Sequence, residues 1–405
     1  MGTDLTIGER IAWYCRRRGM SQEVLAGRVG RTVDWLSKIE NNRIGLDRLS
    51  IIKAVAAVLD VTVGDLLAEP SLMEWPAGNG QRTVPALRDA LMSYRQITPL
   101  LGDVQIDERV NLDSLTRDVA EAWSDYQSSK YVRLTHRLPL LLAEAQSAAD
   151  EYSGPEGERA NRLLALAHHA AAALLTKLGE TDLSWIAADR GLVAARSSGD
   201  VTVTASLFRS VTHALLANSR FDAAIQLTND AAAFLQPSLA AGSPDLLSVY
   251  GMQFLAGSVA ASRAEDRATT RTFLDEADEA ATRLGSDGNY LWTAFGPTNV
   301  AIHRVATAME LGDVQVAIDL APRIDTSVLP VERQVRHALE LARAYNAWNR
   351  SDDALAVLLE AEQLAPEQVR YHYLSRELVV SWVRQERGRP SYTLTELARR
   401  LQVLR

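Results

Sequence analysis

The feature that most constrains the fold is a series of turn signals that recurs along most of the chain. The signals are short segments rich in Gly, Asn and charged residues, centred on Gly179, Asn218, Glu265, Gly312 and Arg350. They are 39, 47, 47 and 38 residues apart. The intervening segments are apolar at helical spacing and contain paired alanines, such as Ala187-Ala188 and Ala231-Ala232, which allow helices to approach closely. Beyond Val84 we therefore predict an all-α fold in which a two-helix unit repeats as in a helical solenoid, with an irregular all-α domain as the alternative.

The predicted two-helix units resemble tetratricopeptide repeats. The resemblance is carried by the hairpin start Phe221-Asp222-x-Ala224 and by the helix exit Leu364-Ala365-Pro366. It implies a tetratricopeptide-like helical repeat domain over residues 83–405. The last predicted helix, Thr393–Val403, has leucines at helical spacing, and we expect it to cap the array because a terminal repeat cannot leave an apolar face exposed.

The composition indicates a folded chain outside the membrane. Hydrophobic residues make up 47% of the 405 residues and charged residues 23%, which is enough apolar surface to form a core. No stretch of about 18 uncharged apolar residues is present, so a membrane protein is excluded. Cys15 is the single cysteine and cannot form an internal disulfide. With no secretory signal, we expect a cytoplasmic protein.

The charge of the chain is distributed unevenly. The formal net charge is −8, but residues 1–53 hold ten Lys/Arg against six Asp/Glu, which gives +4 there and −12 over the rest. A basic head on an acidic body suggests a nucleic-acid-binding module attached to a second domain. The same asymmetry can arise from chance fluctuation in a short window, so charge alone supports a nucleic-acid-binding module only modestly.

The first seventy residues contain the start and stop signals of five short helices. Thr6, Ser21 and Thr32 are candidate N-caps for the first three. The predicted spans are Ile7–Arg18, a second helix from Ser21 to Val29-Gly30, Val33–Glu40, a fourth from Leu46-Asp47 through Val58, and Val63–Leu67. Five short helices, two of which are joined by a turn of about four residues, are typical of a helix-turn-helix domain.

The motif in this region is similar to the lambda-repressor/Cro-like (Xre-type) helix-turn-helix family. The resemblance is carried by Met20-Ser21-Gln22-Glu23, Leu25-Ala26, Val29-Gly30, Thr32 and Leu36-Ser37-Lys38-Ile39-Glu40, and it continues from Leu49 to Leu67. It covers residues 6–68. It implies a DNA-binding domain over residues 1–68, which a Pro- and Gly-rich linker, residues 69–82, joins to the repeat domain.

The resemblance also implies which residues contact double-stranded DNA. Val33 to Lys38 would lie in the major groove, with Gln22 and Thr32 holding phosphates at helix starts. The full predicted set is Gln22, Thr32, Val33, Asp34, Trp35, Ser37, Lys38, Asn41 and Arg43. Lys38 would read guanine, Asp34 cytosine and Val33 a thymine methyl group, while Asn41 and Arg43 contact the backbone. Trp35 would stack on the DNA or pack against a dimer partner.

The sequence also allows predictions about the conformation of Asn42 and the reactivity of Cys15. Asn42 stands where the family often has Gly, and we expect the turn to survive because Asn tolerates the left-handed conformation. Cys15 lies beside three arginines, which would lower the pKa of a redox-sensitive thiol, whereas a small buried cysteine is the commoner case.

The combination of an Xre-type head with a tetratricopeptide-like body resembles the peptide-pheromone-sensing regulators of Gram-positive bacteria and similarly built regulators of actinomycetes. The stretch Ala294–His303 in particular resembles the latter. The resemblance implies a homodimer and a small-molecule or peptide effector in the concave groove. From helix faces, we predict effector-binding residues Tyr250, Phe254, Asn299, His303, Arg333 and Arg336. For each residue alone, packing or a solvated helix face is the stronger interpretation.

The sequence gives little support to catalysis. The seven His are scattered, and adjacent helix positions prevent His168 and His169 from facing one metal. No P-loop, Gly-rich nucleotide turn or Cys/His cluster is present. We therefore predict a transcriptional regulator without cofactor or metal rather than an enzyme. A protein-interaction adaptor, in which the repeats bind a partner protein, is the alternative.

Overall fold

A computed structural model of the chain describes residues 5–46, 48–61, 65–66, 83–92, 109–385 and 391–403. The regular structure of these residues is entirely helical, which confirms the all-α prediction. The predicted linker, residues 69–82, lies outside the described residues, as does most of the predicted fifth helix, Val63–Leu67. The predicted domain limits there stay predictions.

Twenty α-helices are described. The first ten are α1 (Ile7–Arg17), α2 (Gln22–Arg28), α3 (Val33–Glu40), α4 (Leu49–Leu59), α5 (Thr83–Met92), α6 (Leu112–Gln127), α7 (Tyr131–Glu151), α8 (Gly154–Lys177), α9 (Thr181–Ser197) and α10 (Val201–Ala217). The others are α11 (Phe221–Leu235), α12 (Pro244–Arg263), α13 (Arg267–Leu284), α14 (Pro297–Leu311), α15 (Val314–Leu320), α16 (Val331–Ala347), α17 (Ser351–Leu364), α18 (Pro366–Tyr371), α19 (Tyr373–Gln385) and α20 (Tyr392–Arg400). Short 3-10 turns follow α11, α13 and α15.

All five predicted turn signals lie between consecutive helices and close in the same way. Each turn contains one residue at positive φ, namely Gly179, Ser219, Glu265, Gly312 or Asn349. The next N–H donates to the carbonyl five residues earlier, in the pairs Glu180–Leu175, Arg220–Leu215, Asp266–Ala261, Asp313–Ala308 and Arg350–Tyr345. These bonds satisfy carbonyls that the helix end leaves free, and the left-handed residue reverses the chain. The turn residues therefore recur because the same helix ending recurs.

The predicted helix limits near the two chain ends are close to those observed. α3 has the predicted bounds, and Thr32 caps it by accepting the N–H of Trp35. The last helix begins at Tyr392 and ends at Arg400, earlier than the predicted Val403. It ends there because Gln402 adopts a left-handed φ of 57°, which an α-helix cannot contain.

The chain divides into two compact units. Unit 1 consists of residues 1–71, 258–272 and 301–405, and unit 2 of residues 72–257 and 273–300. Unit 1 has one core formed by α16 to α20, around Leu339, Leu358 and Val379. The core of unit 2 includes Leu255 and several aromatic residues of α12 and α13, and the paired alanines of α9 are fully buried. Small buried alanines bring helix axes close together, as the sequence pattern predicts.

Candidate nucleic-acid interface

The N-terminal helices form a small core that fixes α3. Ile11 of α1, Leu25 of α2, and Leu36 and Ile39 of α3 are at most 2% exposed. The capping box at the start of α1 is complete, because Thr6 accepts the N–H of Glu9 while the Glu9 carboxylate accepts the N–H of Thr6. The helices are therefore held by their caps and by one shared core, with the opposite face of α3 free for contacts.

Gly8 allows α1 to lie directly against the end of α3. A Cβ at this position would come within 2.0 Å of the Ile39 carbonyl oxygen. Any side chain at position 8 would therefore displace α3 from α1. The sequence interpretation did not include Gly8, although a glycine inside a helical pattern is a recognised signal of close packing.

The predicted base-reading residues lie on the exposed side of α3. Val33 is 39% exposed, and Asp34 is exposed in its first turn. The Lys38 ammonium forms an i,i+4 ion pair with Asp34, with an N–O distance of 2.7 Å. The two charged side chains that would read bases are thus paired with each other.

The other predicted DNA-contacting residues surround the two ends of α3. The Gln22 amide donates to the Glu40 carboxylate, and the Asn41 amide donates to the Ser37 carbonyl at 2.7 Å. Trp35 is half-buried, with the Arg31 guanidinium 5.9 Å from its ring centroid. Arg43 is exposed just past the helix. Their assignment to DNA stays a prediction.

Asn42 completes the turn after α3. Its φ is 56°, which confirms that Asn supports the left-handed conformation at this position. Its side-chain oxygen accepts a hydrogen bond from the Thr6 hydroxyl at 2.6 Å, and its backbone carbonyl accepts one from the Gln385 amide at 3.3 Å. Asn42 therefore connects the turn to both α1 and α19. Gly at this position would keep only the backbone contact with Gln385.

Within unit 1, α19 contacts the start of α1. The Arg10 guanidinium is 4% exposed, bonds the Leu66 carbonyl at 2.9 Å and lies 3.8 Å from the Glu377 carboxylate. Glu377 also accepts the backbone N–H of Ile7, so a carboxylate is placed at the positive N-terminal end of α1. Arg384 forms an ion pair with Glu9. These contacts fix the head against the C-terminal helices.

Replacing Glu377 by glutamine is expected to remove one contribution to the pH dependence of stability. Burial raises the pKa of Glu377 to about 7, while Arg10, the Ile7 N–H, Arg376 and Arg384 act in the opposite direction. A carboxyl group with a raised pKa in the folded state costs stability as pH rises from about 4.5 through 7. In urea unfolding from pH 5 to 8, the wild type should lose about 2 kcal/mol of unfolding free energy relative to Glu377→Gln.

The buried His168, His169 and His337 contribute to both proteins alike, so the difference between the two profiles reports Glu377. The variant Glu396→Gln, at a side chain that is 30% exposed, is the control and should follow the wild type. Parallel pH profiles for the wild type and Glu377→Gln would contradict the role assigned to this carboxyl group.

A second contact joins the head to other parts of unit 1 through Arg48. Its Nε donates to the Glu310 carbonyl at 3.0 Å, and its Nη2 lies 3.4 Å from the Glu265 carboxylate. Arg10 and Arg48 were counted among the basic residues of the head, but both turn toward C-terminal helices. The sequence shows that both residues are charged, but it does not show on which side of the domain they lie.

Cys15 is buried inside the head. It is 3% exposed, and its thiol donates to the Met20 carbonyl with a sulfur–oxygen distance of 3.0 Å. Burial, with a smaller contribution from Glu40, raises the pKa of the Cys15 thiol. The three neighbouring arginines do not activate it, so the structure favours a packing role over redox sensing.

Comparison with known proteins supports the interpretation of this region. Residues 6–69 match a family model described as "Helix-turn-helix domain". The chain is 34% identical over 87 residues to the HTH-type transcriptional regulator SinR of Bacillus subtilis (strain 168), and the alignment covers 22% of this chain and 78% of that protein. The same values apply to SinR of Bacillus licheniformis. The chain belongs to the HTH-type transcriptional regulators. The helices of this regulator outside the matched residues carry the predicted effector site.

Three predicted effector residues of this HTH-type regulator lie in unit 2. Tyr250 and Phe254 are in contact, with ring centroids 4.9 Å apart, and Phe254 packs on Phe273. Asn299 is fully buried and donates to the Ala294 carbonyl at 2.8 Å. Phe254 and Asn299 thus take part in packing, and their assignment to an effector stays a prediction.

Tyr250 lies at the edge of an open cavity of about 260 Å³ in unit 2. The cavity is lined by Gln236, Leu239, Tyr250, Glu276, Glu279, Ala280 and Arg283. The Tyr250 hydroxyl donates to Glu276 at 3.4 Å. Burial, together with Glu276, raises the pKa of Tyr250 to about 12, so the hydroxyl stays protonated.

The other three predicted effector residues of the regulator lie in unit 1. His303 is 8% exposed, and Arg333 lies 3.4 Å from the Glu332 carboxylate. Arg336 contacts His372 at 3.0 Å and forms an ion pair with Glu340 at 2.6 Å. That the six residues form one effector site stays a prediction.

Arg336 belongs to a buried group that we call the ionic cluster, formed by Arg263, Glu310, Arg336, Glu340 and Arg343. Arg343 and Glu340 are 1% exposed and Glu310 is 3% exposed. Arg343 lies 3.4 Å from the Glu310 carboxylate and 3.3 Å from that of Glu340, while Arg263 lies 3.5 Å from Glu310. Three guanidinium groups thus share two buried carboxylates.

Within the described ranges, no three His, Cys, Asp or Glu side chains are placed to hold a metal ion. No helix among the described residues of the regulator is long and apolar enough to cross a membrane.

Proposed function

We propose that the chain is a sequence-specific DNA-binding regulator of transcription that acts as a homodimer. α3 would lie in the major groove, and two heads would contact half-sites about 34 Å apart on one face of the duplex. The observation that carries the proposal is the exposed face of α3, where Val33, Asp34 and Lys38 project from a helix fixed by its cap and core. The match to a helix-turn-helix domain over residues 6–69 supports it.

We further propose that an effector bound by the tetratricopeptide-like helices modulates DNA binding in the cytoplasm. An effector acts only if it binds one arrangement of the heads better than another. The contacts in unit 1 offer a route for this coupling. Arg48 bonds the backbone of Glu310, whose side chain belongs to the ionic cluster. α19 begins beside the same cluster and carries Glu377 and Arg384, which hold α1.

Replacing Arg43 by alanine is expected to weaken DNA binding about equally for all sequences. Arg43 is exposed beside α3 and is predicted to contact a phosphate rather than a base. Loss of one phosphate contact should lower the slope of log affinity against log salt by about 1. The measurement is a fluorescence-anisotropy titration of the full chain with duplex DNA at several salt concentrations.

Arg271→Ala is the matched control, because Arg271 is also exposed but lies on α13. It should leave affinity and slope unchanged. Wild-type binding to DNA that does not depend on salt would contradict the proposal and favour a protein-interaction adaptor, since a DNA-binding head releases counterions.

A further inference from the structure

The segment between α13 and α14 forms a closed loop in unit 2. The Asp287 carboxylate accepts the N–H of Thr298 at 3.0 Å and its hydroxyl at 2.7 Å. The Gly288 N–H donates to the Phe295 carbonyl at 2.9 Å. The Phe295 ring fills the space beside Gly251, where a Cβ would come within 1.9 Å of the ring. The stretch Ala294–His303 therefore contributes residues that close and anchor this loop.

The loop holds three non-glycine residues in the left-handed region. The φ angles are 45° for Leu291, 54° for Trp292 and 50° for Ala294. Residues with a side chain are strained in this region, and such strain persists only where the surroundings enforce it. Residues with this much local strain are often found at sites that bind ligands or change conformation.

The enforced conformation places the Trp292 ring on Trp123 of α6. The two rings are stacked, with centroids 5.2 Å apart and planes 6° from parallel. The Gln127 amide forms a reciprocal pair with the Asn289 amide, both distances being 2.9 Å, and also donates to the Trp292 carbonyl at 3.2 Å. Trp292 itself is half-buried, and the adjacent Tyr290 is 41% exposed. Solvent therefore reaches this loop.

Trp123 has a buried polar atom that stacking does not use, and its ring packs against that of His169. It is 1% exposed, and its Nε1 has no hydrogen-bond partner among the described residues. The His169 ring packs edge-on with the Trp123 ring, with the two ring centroids 4.7 Å apart. Arg209, which is 7% exposed, lies 3.3 Å from His169 Nε2, and Ser206 Oγ lies 3.4 Å from His169 Nδ1.

His169 is neutral in this arrangement. Burial, with Arg209 and His213, holds the pKa of His169 well below its usual range. Because a guanidinium group only donates, Nε2 is the acceptor, and the ring proton is on Nδ1 toward Ser206. The positive charge next to His169, on the side of Nε2, is therefore that of Arg209.

We propose that Trp292 occupies a binding site for a planar aromatic acid, and that such a ligand takes its place on Trp123. The aromatic ring would stack as the indole of Trp292 does. The acid group would accept the Trp123 N–H and lie toward the Arg209 guanidinium. Displacement of Trp292 would release the left-handed backbone of the loop. The inference rests on the proposed function only in naming this ligand class as the effector.

The test is isothermal titration of the full chain with three probes: indole-3-acetate, indole and cyclohexylacetate. Removal of the competing ring in Trp292→Ala should tighten indole-3-acetate binding at least tenfold relative to the wild type. Indole, which lacks the acid, should bind more weakly, and cyclohexylacetate, which lacks the aromatic ring, more weakly still. The control Trp185→Ala removes a tryptophan that is 40% exposed on α9 and should behave as the wild type.

Equal affinity of Trp292→Ala and Trp185→Ala for indole-3-acetate would overturn the proposal. If Trp292→Ala fails to fold, Trp292→Phe is used in its place, and affinity equal to that of the wild type is the contradicting result. Trp123→Phe keeps a ring but removes the N–H, and should reduce the preference for indole-3-acetate over indole. These titrations decide the ligand site, whereas DNA binding by the wild type decides the proposed function, so the two failures are distinguishable.

Discussion

Replacing Glu310 by glutamine lowers the free energy of unfolding by about 3 kcal/mol, because it leaves the three guanidinium groups of the ionic cluster with a single carboxylate, that of Glu340. Glu310 is 3% exposed and lies within 3.5 Å of both Arg343 and Arg263. Glutamine has the same shape, so the loss reports the charge rather than a cavity. The measurement is urea unfolding of the full chain followed by circular dichroism.

The matched control is Glu396→Gln, which removes an exposed i,i+3 ion pair with Arg399. Exposed pairs of this kind contribute between 0 and about 1 kcal/mol. Similar losses in the two variants would contradict the account of the ionic cluster.

The pKa of Glu310 gives this prediction a pH dependence. Burial alone would raise the pKa, but Arg343, Arg263 and Arg336 lower it below the usual range of a glutamate. The stabilisation is therefore fully present above the unfolded-state pKa and is lost as pH falls through the lower folded-state value. The difference between wild type and Glu310→Gln should accordingly shrink in acid.

Replacing Lys38 by alanine is expected to lower affinity for the preferred DNA site by about 10- to 100-fold, which corresponds to 1–3 kcal/mol, and to relax discrimination at one base pair. The structure adds a second expectation, because Lys38 is paired with Asp34 at 2.7 Å. Asp34→Ala removes an acid near the phosphates and frees the Lys38 ammonium. It should relax discrimination at a different base pair without lowering affinity for random DNA.

Anisotropy titrations at one fixed salt concentration, with the preferred site and its single-base variants, measure both effects. Glu23→Ala is the control for charge, since Glu23 is an exposed acid on α2. It should raise affinity for all sequences and leave their order unchanged. The same order of base preferences in Lys38→Ala as in the wild type would contradict base reading by α3.

The head was predicted closely because its signals are local. Thr32 at the start of α3 and the left-handed Asn42 after it are both determined by neighbouring residues. The contacts that fix the head in unit 1 were not predicted, because they join residues far apart in sequence. Arg10 meets Glu377, and Arg48 meets the backbone of Glu310. A charge count assigns both arginines to the basic surface.

The effector residues were harder to predict for a related reason. Helical spacing places Tyr250 and Phe254 on one face, and they do touch, but spacing does not tell a core face from a groove. Trp292 was missed because its position depends on a strained loop and on Trp123, which is 169 residues earlier. No periodic pattern in the sequence records such a contact.

The most direct test of DNA reading by α3 is selection of duplexes from a random DNA library with the full chain, followed by footprinting on the enriched sequence. We predict two enriched half-sites related by two-fold symmetry, with centres about 10 base pairs or a multiple of that apart. Both half-sites should be protected by the wild type, and Lys38→Ala should lose the enrichment at one base pair of each half-site. Protection without any enriched sequence, or enrichment that is unchanged in Lys38→Ala, would contradict the account.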